Sequence, residues 1–192
     1  DEVMVIKRVN IASGNVKFDG SVRVLEDVEN GFSIDASGDV IVEGIVSNSS
    51  ITASGSITVH GGVMGNPNVE KKRPMLIAGD SITARFLANI DVKLNNKLYI
   101  EDHMYNCNVV SGDNIVVGNK EHKGSIIGGK AMAKYKIQCK QAGSPAGFNT
   151  WLEVGSDPKL LEEYEKTSDE IIIRYKNLEV ISEELIAVGE RI

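Results

Sequence analysis

Apolar and polar residues alternate in short stretches along most of the chain, and glycine and serine separate these stretches. Four octets share one plan, with a small residue, a glycine, alternating β-forming residues and a closing glycine: SGNVKFDG (13–20), SGDVIVEG (37–44), SGSITVHG (54–61) and SGDNIVVG (111–118). A period of two places every second side chain on the same side of a strand. The pattern therefore predicts many short strands joined by tight turns, in which glycine lets the backbone turn sharply.

The spacing of the apolar residues indicates how these strands are arranged. Three columns of residues advance along the chain in nearly equal steps. The members of the columns are Val40, Ile57, Ile82, Leu98 and Ile115; Ile34, Ile51, Leu76, Val92 and Val109; and Val46, Val63, Ala88 and Met104. The first two columns take steps of 17, 25, 16 and 17 residues, and the third takes 17, 25 and 16. Three columns that advance by the same steps predict an all-β solenoid, namely a three-sided parallel β-helix.

Loops are predicted where the spacing exceeds that of an ordinary turn of the coil. The step of 25 residues contains the segment GNPNVEKKRP (65–74), which we expect to bulge from one corner while the columns stay in register. A similar excess between Val16 and Val40 places a second loop near residues 26–31.

After Gly118 the repeat is less regular. The stretch AMAKYKIQCK (131–140) alternates, with Tyr135, Ile137 and Cys139 on one face. Trp151 is the only tryptophan, and we expect it to close the end of the core.

The character of the chain changes at residue 156. Asp157 followed by Pro158 is typical of a helix N-cap and first helical position. Apolar residues then follow a 4-3 spacing that only Thr167 and Arg174 interrupt: Leu160, Tyr164, Ile171, Leu178, Ile181, Leu185, Val188 and Ile192. This heptad pattern predicts a C-terminal α-helical segment that forms a coiled coil or a helical hairpin. The alternative is one amphipathic helix that packs against the solenoid.

Composition and charge restrict the function. Aromatic residues make up 5% of the 192 residues, there are 19 glycines, and the net charge is −6. An acidic chain does not suit nucleic-acid binding, and no apolar run is long enough to insert into a membrane. Cys107 and Cys139 lie far apart, which favours reduced thiols in the cytoplasm. Because the chain starts at Asp1, we expect it to be a fragment.

Four groups of residues are candidates for a chemical role. The segment Gly124–Ala131 fits the GxxxxGK pattern of a phosphate-binding loop, but Ala131 stands where serine or threonine would hold magnesium. Ile126 and Ile127 within it are interpreted as inward residues. His60, His103 and His122 lack metal-ligand spacing and are interpreted as surface or corner residues. The basic run from Glu70 to Arg73 is interpreted as a solvated loop, and the two cysteines as buried or corner residues. We therefore predict no catalytic, cofactor-binding or metal-binding residue.

Two other kinds of β-helix remain alternatives. Left-handed β-helix acyltransferases also have three-sided coils, and His122 could serve as a catalytic histidine. Those coils keep a strict six-residue spacing, whereas here the spacing is 6-6-5 and the faces carry V-x-V pairs, which favours a right-handed coil. Bactofilin-like scaffolds polymerise end to end, and a helical cap would oppose such stacking.

The repeats GDVIVEG and GDNIVVG, followed by GNKEHKGSIIGGKAMA (118–133) and GSPAGFNTWLEVG (143–155), resemble the bacterial flagellar assembly protein A family. The resemblance implies a cytoplasmic, right-handed β-helix over residues 1–155 and a helical or coiled-coil segment over 156–192, with an N-terminal domain of the parent protein absent. It implies a non-enzymatic scaffold in flagellar assembly or its regulation. The partner that the resemblance implies is a sugar-phosphotransferase component, and flagellar or polar assembly factors are further candidates. The heptad pattern itself adds a second copy of the chain, held through the C-terminal helix, as an expected partner.

Overall fold

The computed structural model describes residues 2–67, 73–119, 124–155 and 157–189. The chain divides into two units, Asp1–Ser156 and Asp157–Ile192. The first unit is a parallel β-solenoid of about 8 turns, and its strands join into one 18-stranded sheet. Each complete turn contributes one strand to each of three faces, which we call faces A, B and C. The predicted three-sided parallel solenoid is confirmed.

The strands of each face pair in parallel with those of the neighbouring turns. Face A consists of β2 (Val16–Phe18), β4 (Ser33–Ala36), β7 (Ser50–Ala53), β10 (Met75–Ala78), β12 (Asp91–Leu94), β18 (Thr150–Val154) and the C-terminal parts of β13 (Leu98–Ser111) and β15 (Ser125–Ala133). Face B consists of β1 (Val3–Ile6), β3 (Ser21–Val24), β5 (Val40–Val42), β8 (Ile57–Val59), β14 (Asn114–Val117), β16 (Lys136–Gln138) and the N-terminal parts of β11 (Ile82–Ala88) and β13. Face C consists of β6 (Ile45–Ser47), β9 (Gly62–Met64), β17 (Gln141–Ala142), the C-terminal part of β11, the middle of β13 and the N-terminal part of β15.

The core is the stack of inward side chains from the three faces. The first two predicted columns are confirmed residue by residue by the strand registers. The third is wrong at one position, because Leu87 and not Ala88 pairs with Val63 and Met104. Leu87 is fully buried, and a register irregularity between Ala84 and Phe86 causes the shift.

The predicted loop at residues 26–31 is wrong. Val16 pairs with Ile34 and Val22 pairs with Val40, so Val16 belongs to face A rather than to the column of Val40. Residues 26–31 instead form part of an ordinary turn, in which Val28 bridges Val9 and Val46.

The predicted insertion after Val63 is confirmed by the residues at its ends. Gly65 donates a 2.8 Å backbone hydrogen bond to Ala88, and Asp91 donates one of 3.0 Å to the carbonyl of Pro74. Both ends therefore stay attached to the next turn, at the corner between faces C and A.

The last turn of the solenoid differs from the prediction in two side chains. Ile137 and Cys139 pack against the core, but Tyr135 lies at a corner and is exposed. Trp151 does not close the core: it is 62% exposed, at an outward position of β18, and its ring lies 5.8 Å from Lys130 Nζ.

The second unit is one continuous helix, α1 (Pro158–Gly189). The predicted helix start after Asp157 is confirmed, and the helical hairpin is wrong. Among the helices of the described part of the chain, none combines the length and apolarity needed to cross a lipid bilayer.

Asparagine side chains form a ladder at the corner between faces C and A. Asn48, Asn89 and Asn106 all have positive φ, of 41°, 54° and 50°. The side-chain amide of Asn48 donates a 2.7 Å hydrogen bond to Asn30. Asparagine tolerates the left-handed backbone conformation because its short polar side chain can hydrogen-bond locally. The ladder thus fixes the corner at which the chain leaves face C.

Candidate protein-interaction surface

The outer surfaces of the three faces differ in composition. Face A presents charged and small residues such as Lys17, Asp35 and Lys93, together with the exposed side chains of Ile77 and Trp151. Face B presents Thr58, Thr83 and other half-buried residues. Face C is apolar and aromatic on its outside. We call the following residues the aromatic face: Ile45, Met64, Phe86, His103, Tyr105, Ile127 and Phe148.

Phe86 is at the centre of the aromatic face. Its ring stacks on the ring of His103 in the next turn, with centroids 5.4 Å apart and planes 5° from parallel. On the other side it covers Gly62, where an added Cβ would lie 2.6 Å from the ring. Gly62 has a φ of +127°, which side chains rarely adopt. Glycine at this position therefore provides the flat backbone on which the ring of Phe86 rests.

A second aromatic pair extends the surface toward the C-terminal turns. Tyr105 follows Ala88 and precedes Ile127 in the register of face C. Its ring meets Phe148 edge to face, with centroids 5.5 Å apart. Such pairs contribute about 0.5–1.5 kcal/mol beyond the area they bury, so they hold the aromatic side chains in fixed positions.

Charged side chains line the edge toward face B. Glu43 accepts hydrogen bonds from His60 at 2.6 Å and from Arg23 at 2.7 Å. These two bonds hold the pKa of the Glu43 carboxyl below its usual range, and the bond from His60 has the larger effect. His103 Nδ1 lies 3.1 Å from a carboxylate oxygen of Asp102. The aromatic face therefore has a polar edge on this side.

Arg73 anchors the opposite edge. Its guanidinium donates to the carbonyl of Asn106 and lies 3.4 Å from Asp91. Arg73 is only partly exposed, so the interpretation of Glu70–Arg73 as a solvated loop is wrong for this residue. Residues 70–72 lie outside the described residues.

This arrangement suits the binding of a protein. Aromatic residues, methionine and arginine are enriched in interface centres, and a polar rim surrounds such centres. The aromatic face combines four ring side chains with Ile45 and Met64, which are 37% and 44% exposed, between two polar edges. The side chains are held by stacking on neighbouring turns, so binding would order few of them.

The segment that resembles a phosphate-binding loop is part of the solenoid. Residues 125–133 form β15, and Gly128 and Gly129, with φ of 71° and 80°, turn the corner in its middle. The segment is therefore a strand with a corner in its middle, and the absence of a nucleotide site stays a prediction. Ile126 is inward as predicted. The prediction for Ile127 is wrong, because this residue lies on the outer side of face C.

The histidines and cysteines have structural surroundings. His60 and His103 lie on the surface beside carboxylates, as predicted, and His122 lies outside the described residues. Within the described ranges, no three His, Cys, Asp or Glu side chains are grouped to hold a metal ion. Cys107 is buried at a corner, and this burial raises the pKa of its thiol to about 11. Cys139 is half-buried.

The aromatic face was missed by the reasoning from sequence, although a signal for it was present. Leu87 and Met104 are inward residues of one column, and in a strand the neighbours of an inward residue point outward. Phe86, His103 and Tyr105 are these neighbours. Extending the predicted column to the residues beside Met104 would have found His103 and Tyr105, but not Phe86, because that column contained Ala88 in place of Leu87.

The comparisons with known proteins agree with this fold. The sequence profile of the Flagellar Assembly Protein A beta solenoid domain matches residues 2–191. No curated protein and no solved structure matches the chain significantly.

Proposed function

The chain belongs to the Flagellar Assembly Protein A β-solenoid domain family, and on this basis we propose that it is a non-enzymatic scaffold in flagellar assembly or its regulation. The proposal includes a cytoplasmic location and a right-handed coil. Parallel crossover connections in sheets are right-handed in about 98% of cases, which supports the handedness. The free thiols of Cys107 and Cys139 support a reducing compartment.

The observation that carries the proposal is the aromatic face. It places Phe86, His103 and Tyr105 on adjacent turns of a rigid stack, where they form one continuous outer surface. In a solenoid each turn contacts only its neighbours, so the outer surface can bind a partner without disturbing the core. The occupant we propose is a protein with an apolar patch, and a sugar-phosphotransferase component is the candidate that the family resemblance implies.

The polar side chains at the other corners support a structural role. Asp80 accepts hydrogen bonds from Asn96 at 2.8 Å and from Ser56 at 2.9 Å, each in a different turn. These bonds lower the pKa of the Asp80 carboxyl, and the bond from Asn96 has the larger effect. Such side chains join successive turns of the coil.

A deletion strain tests the role. We expect loss of the gene to reduce the number of flagellated cells and their motility, and the gene in trans to restore both. Purified sugar-phosphotransferase component is then mixed with the purified chain, and binding is measured by calorimetry. Normal flagellation in the deletion strain would contradict the proposal, whereas a flagellar defect without calorimetric binding would contradict only the partner.

A further inference from the structure

The helix α1 exposes a row of large apolar side chains. Leu160, Tyr164, Ile171, Leu178 and Ile181 are between 48% and 73% exposed. They recur at the 4-3 spacing of a heptad, which keeps them on one side of the helix. We call these five residues the seam. A seam of this kind on a helix of 32 residues, about 48 Å long, is long enough to form an extended interface.

We propose that the seam pairs two copies of this chain in a parallel, two-stranded coiled coil. A heptad seam is self-complementary, because the knobs of one helix fit the holes of an identical helix in the same register. The inference stands on the residues of α1 and does not depend on the proposed role in flagellar assembly.

The charges beside the seam favour the parallel orientation. Numbering Ile171 and Leu178 as heptad position a places Glu163 and Glu170 at position g. In an antiparallel pair, g residues lie beside the g residues of the other helix, so glutamates would oppose glutamates or the neutral Asn177. In a parallel pair each g residue lies beside an e residue of the other helix, so Glu163 lies beside Ser168 and Glu170 beside Tyr175. The parallel pair therefore avoids the repulsion.

Arg174 is a polar residue within the row, at position d. It lies four residues after Glu170, the spacing and order at which a glutamate and a cation stabilise a helix. A polar residue in a coiled-coil core specifies the register and the number of strands, at a cost in stability. Arg174 thus fixes the pairing of two identical helices and weakens it.

The chain offers a matched pair of variants for the test. Ile171 belongs to the seam and is 48% exposed, whereas Ile173 lies outside it and is 58% exposed. The mass of the whole chain and its variants is measured by sedimentation equilibrium. We expect the wild type to have twice the chain mass of 20.8 kDa. Ile171→Asp should raise the dimer dissociation constant by about tenfold or more. Ile173→Asp should leave it within about threefold, and Arg174→Leu should lower it.

Circular dichroism of the β signal verifies that each variant keeps a folded solenoid. The orientation is tested in a Cys139→Ser background with Leu160→Cys, near the start of α1. A parallel pair in register places the two introduced thiols side by side, so oxidation should link the chains into a covalent dimer. A monomeric or trimeric wild type, equal effects of the two aspartates, or no cross-link at this position would each overturn the proposal.

Discussion

The side-chain amide of Asn106 donates a 2.9 Å hydrogen bond to the side-chain oxygen of Asn89 in the preceding turn. Asn89 is 8% exposed and has a φ of +54°. One residue type thus satisfies two requirements of the corner, a left-handed backbone and a polar bond between turns.

Replacing Asn89 separates these two requirements. Asn89→Ala loses the amide but keeps a Cβ in the left-handed conformation, now without a polar side chain to compensate, and we expect a cost of about 2–4 kcal/mol. Asn89→Gly also loses the amide, but it removes the Cβ and so adopts the left-handed conformation without strain, at about 1–2 kcal/mol. Urea denaturation of both variants measures the difference. Equal midpoints for the two would show that the backbone conformation carries no cost.

Gly128 and Gly129 provide a second test, because they share a positive φ but differ in space. An added Cβ at Gly129 would lie 2.2 Å from the carbonyl oxygen of Cys107, whereas the nearest atom at Gly128 is 3.6 Å away. Gly129→Ala should therefore destabilise the protein by about 2 kcal/mol more than Gly128→Ala. Thermal unfolding of the two variants checks this. Similar melting temperatures would mean that the turn of Cys107 can move aside.

The periodicity predicted most of the core because burial is specified locally. The columns of Ile51 and Ile57 were correct, since in each turn the alternation leaves one choice of inward residues. The prediction from periodicity failed at Ala88, because the bulge before Phe86 changes the alternation within a strand. It also failed at Val16, because the turns at all three corners use the same small residues and one octet was assigned to the wrong face.

The aromatic face could be predicted only in part. Which residues point outward follows from alternation, but the stacking of Phe86 on His103 depends on the positions of two separate turns. Trp151, the only tryptophan, was expected to close the end of the core, yet its position beside Lys130 in the register puts it outside. The stacking of Phe86 and the position of Trp151 both depend on the register between turns. A single sequence specifies this register only weakly.

The thiol of Cys107 should be unreactive in the folded protein. It is 1% exposed, and burial raises its pKa to about 11, so little thiolate is present at neutral pH. In the Cys139→Ser variant, Ellman's reagent should label Cys107 only when the protein is unfolded in guanidinium chloride. Labelling of the native protein at the unfolded rate would show that this corner is open.

The stability of the protein should fall in acid partly through Glu43. Its pKa is lowered in the folded state by His60 and Arg23, so its contribution is present above the unfolded value of 4.5 and is lost as the pH falls through the lower folded value. The difference in urea midpoint between the wild type and Glu43→Gln should therefore be largest near neutral pH and shrink below pH 4.5. Arg23→Met should reduce this difference. A difference that does not change with pH would contradict the assignment.

Tyr105 and Tyr99 form the pair that tests the aromatic face as the binding surface. Both are half-buried outward residues of β13, but Tyr105 lies on face C and Tyr99 on face B. Tyr105→Ala also loses the edge-to-face contact with Phe148, so it should lower the free energy of unfolding by about 0.5–1.5 kcal/mol more than Tyr99→Ala, and both variants should stay folded. Urea midpoints verify this before the variants are used in cells.

The most direct measurement is the fraction of flagellated cells in the deletion strain that carries each tyrosine variant. Loss of a central aromatic contact weakens binding by about tenfold or more. Tyr105→Ala should therefore lower the flagellated fraction toward that of the deletion strain, and Tyr99→Ala should restore it to the wild-type value. Normal flagellation with Tyr105→Ala, or an equal loss with both variants, would contradict the role of the aromatic face.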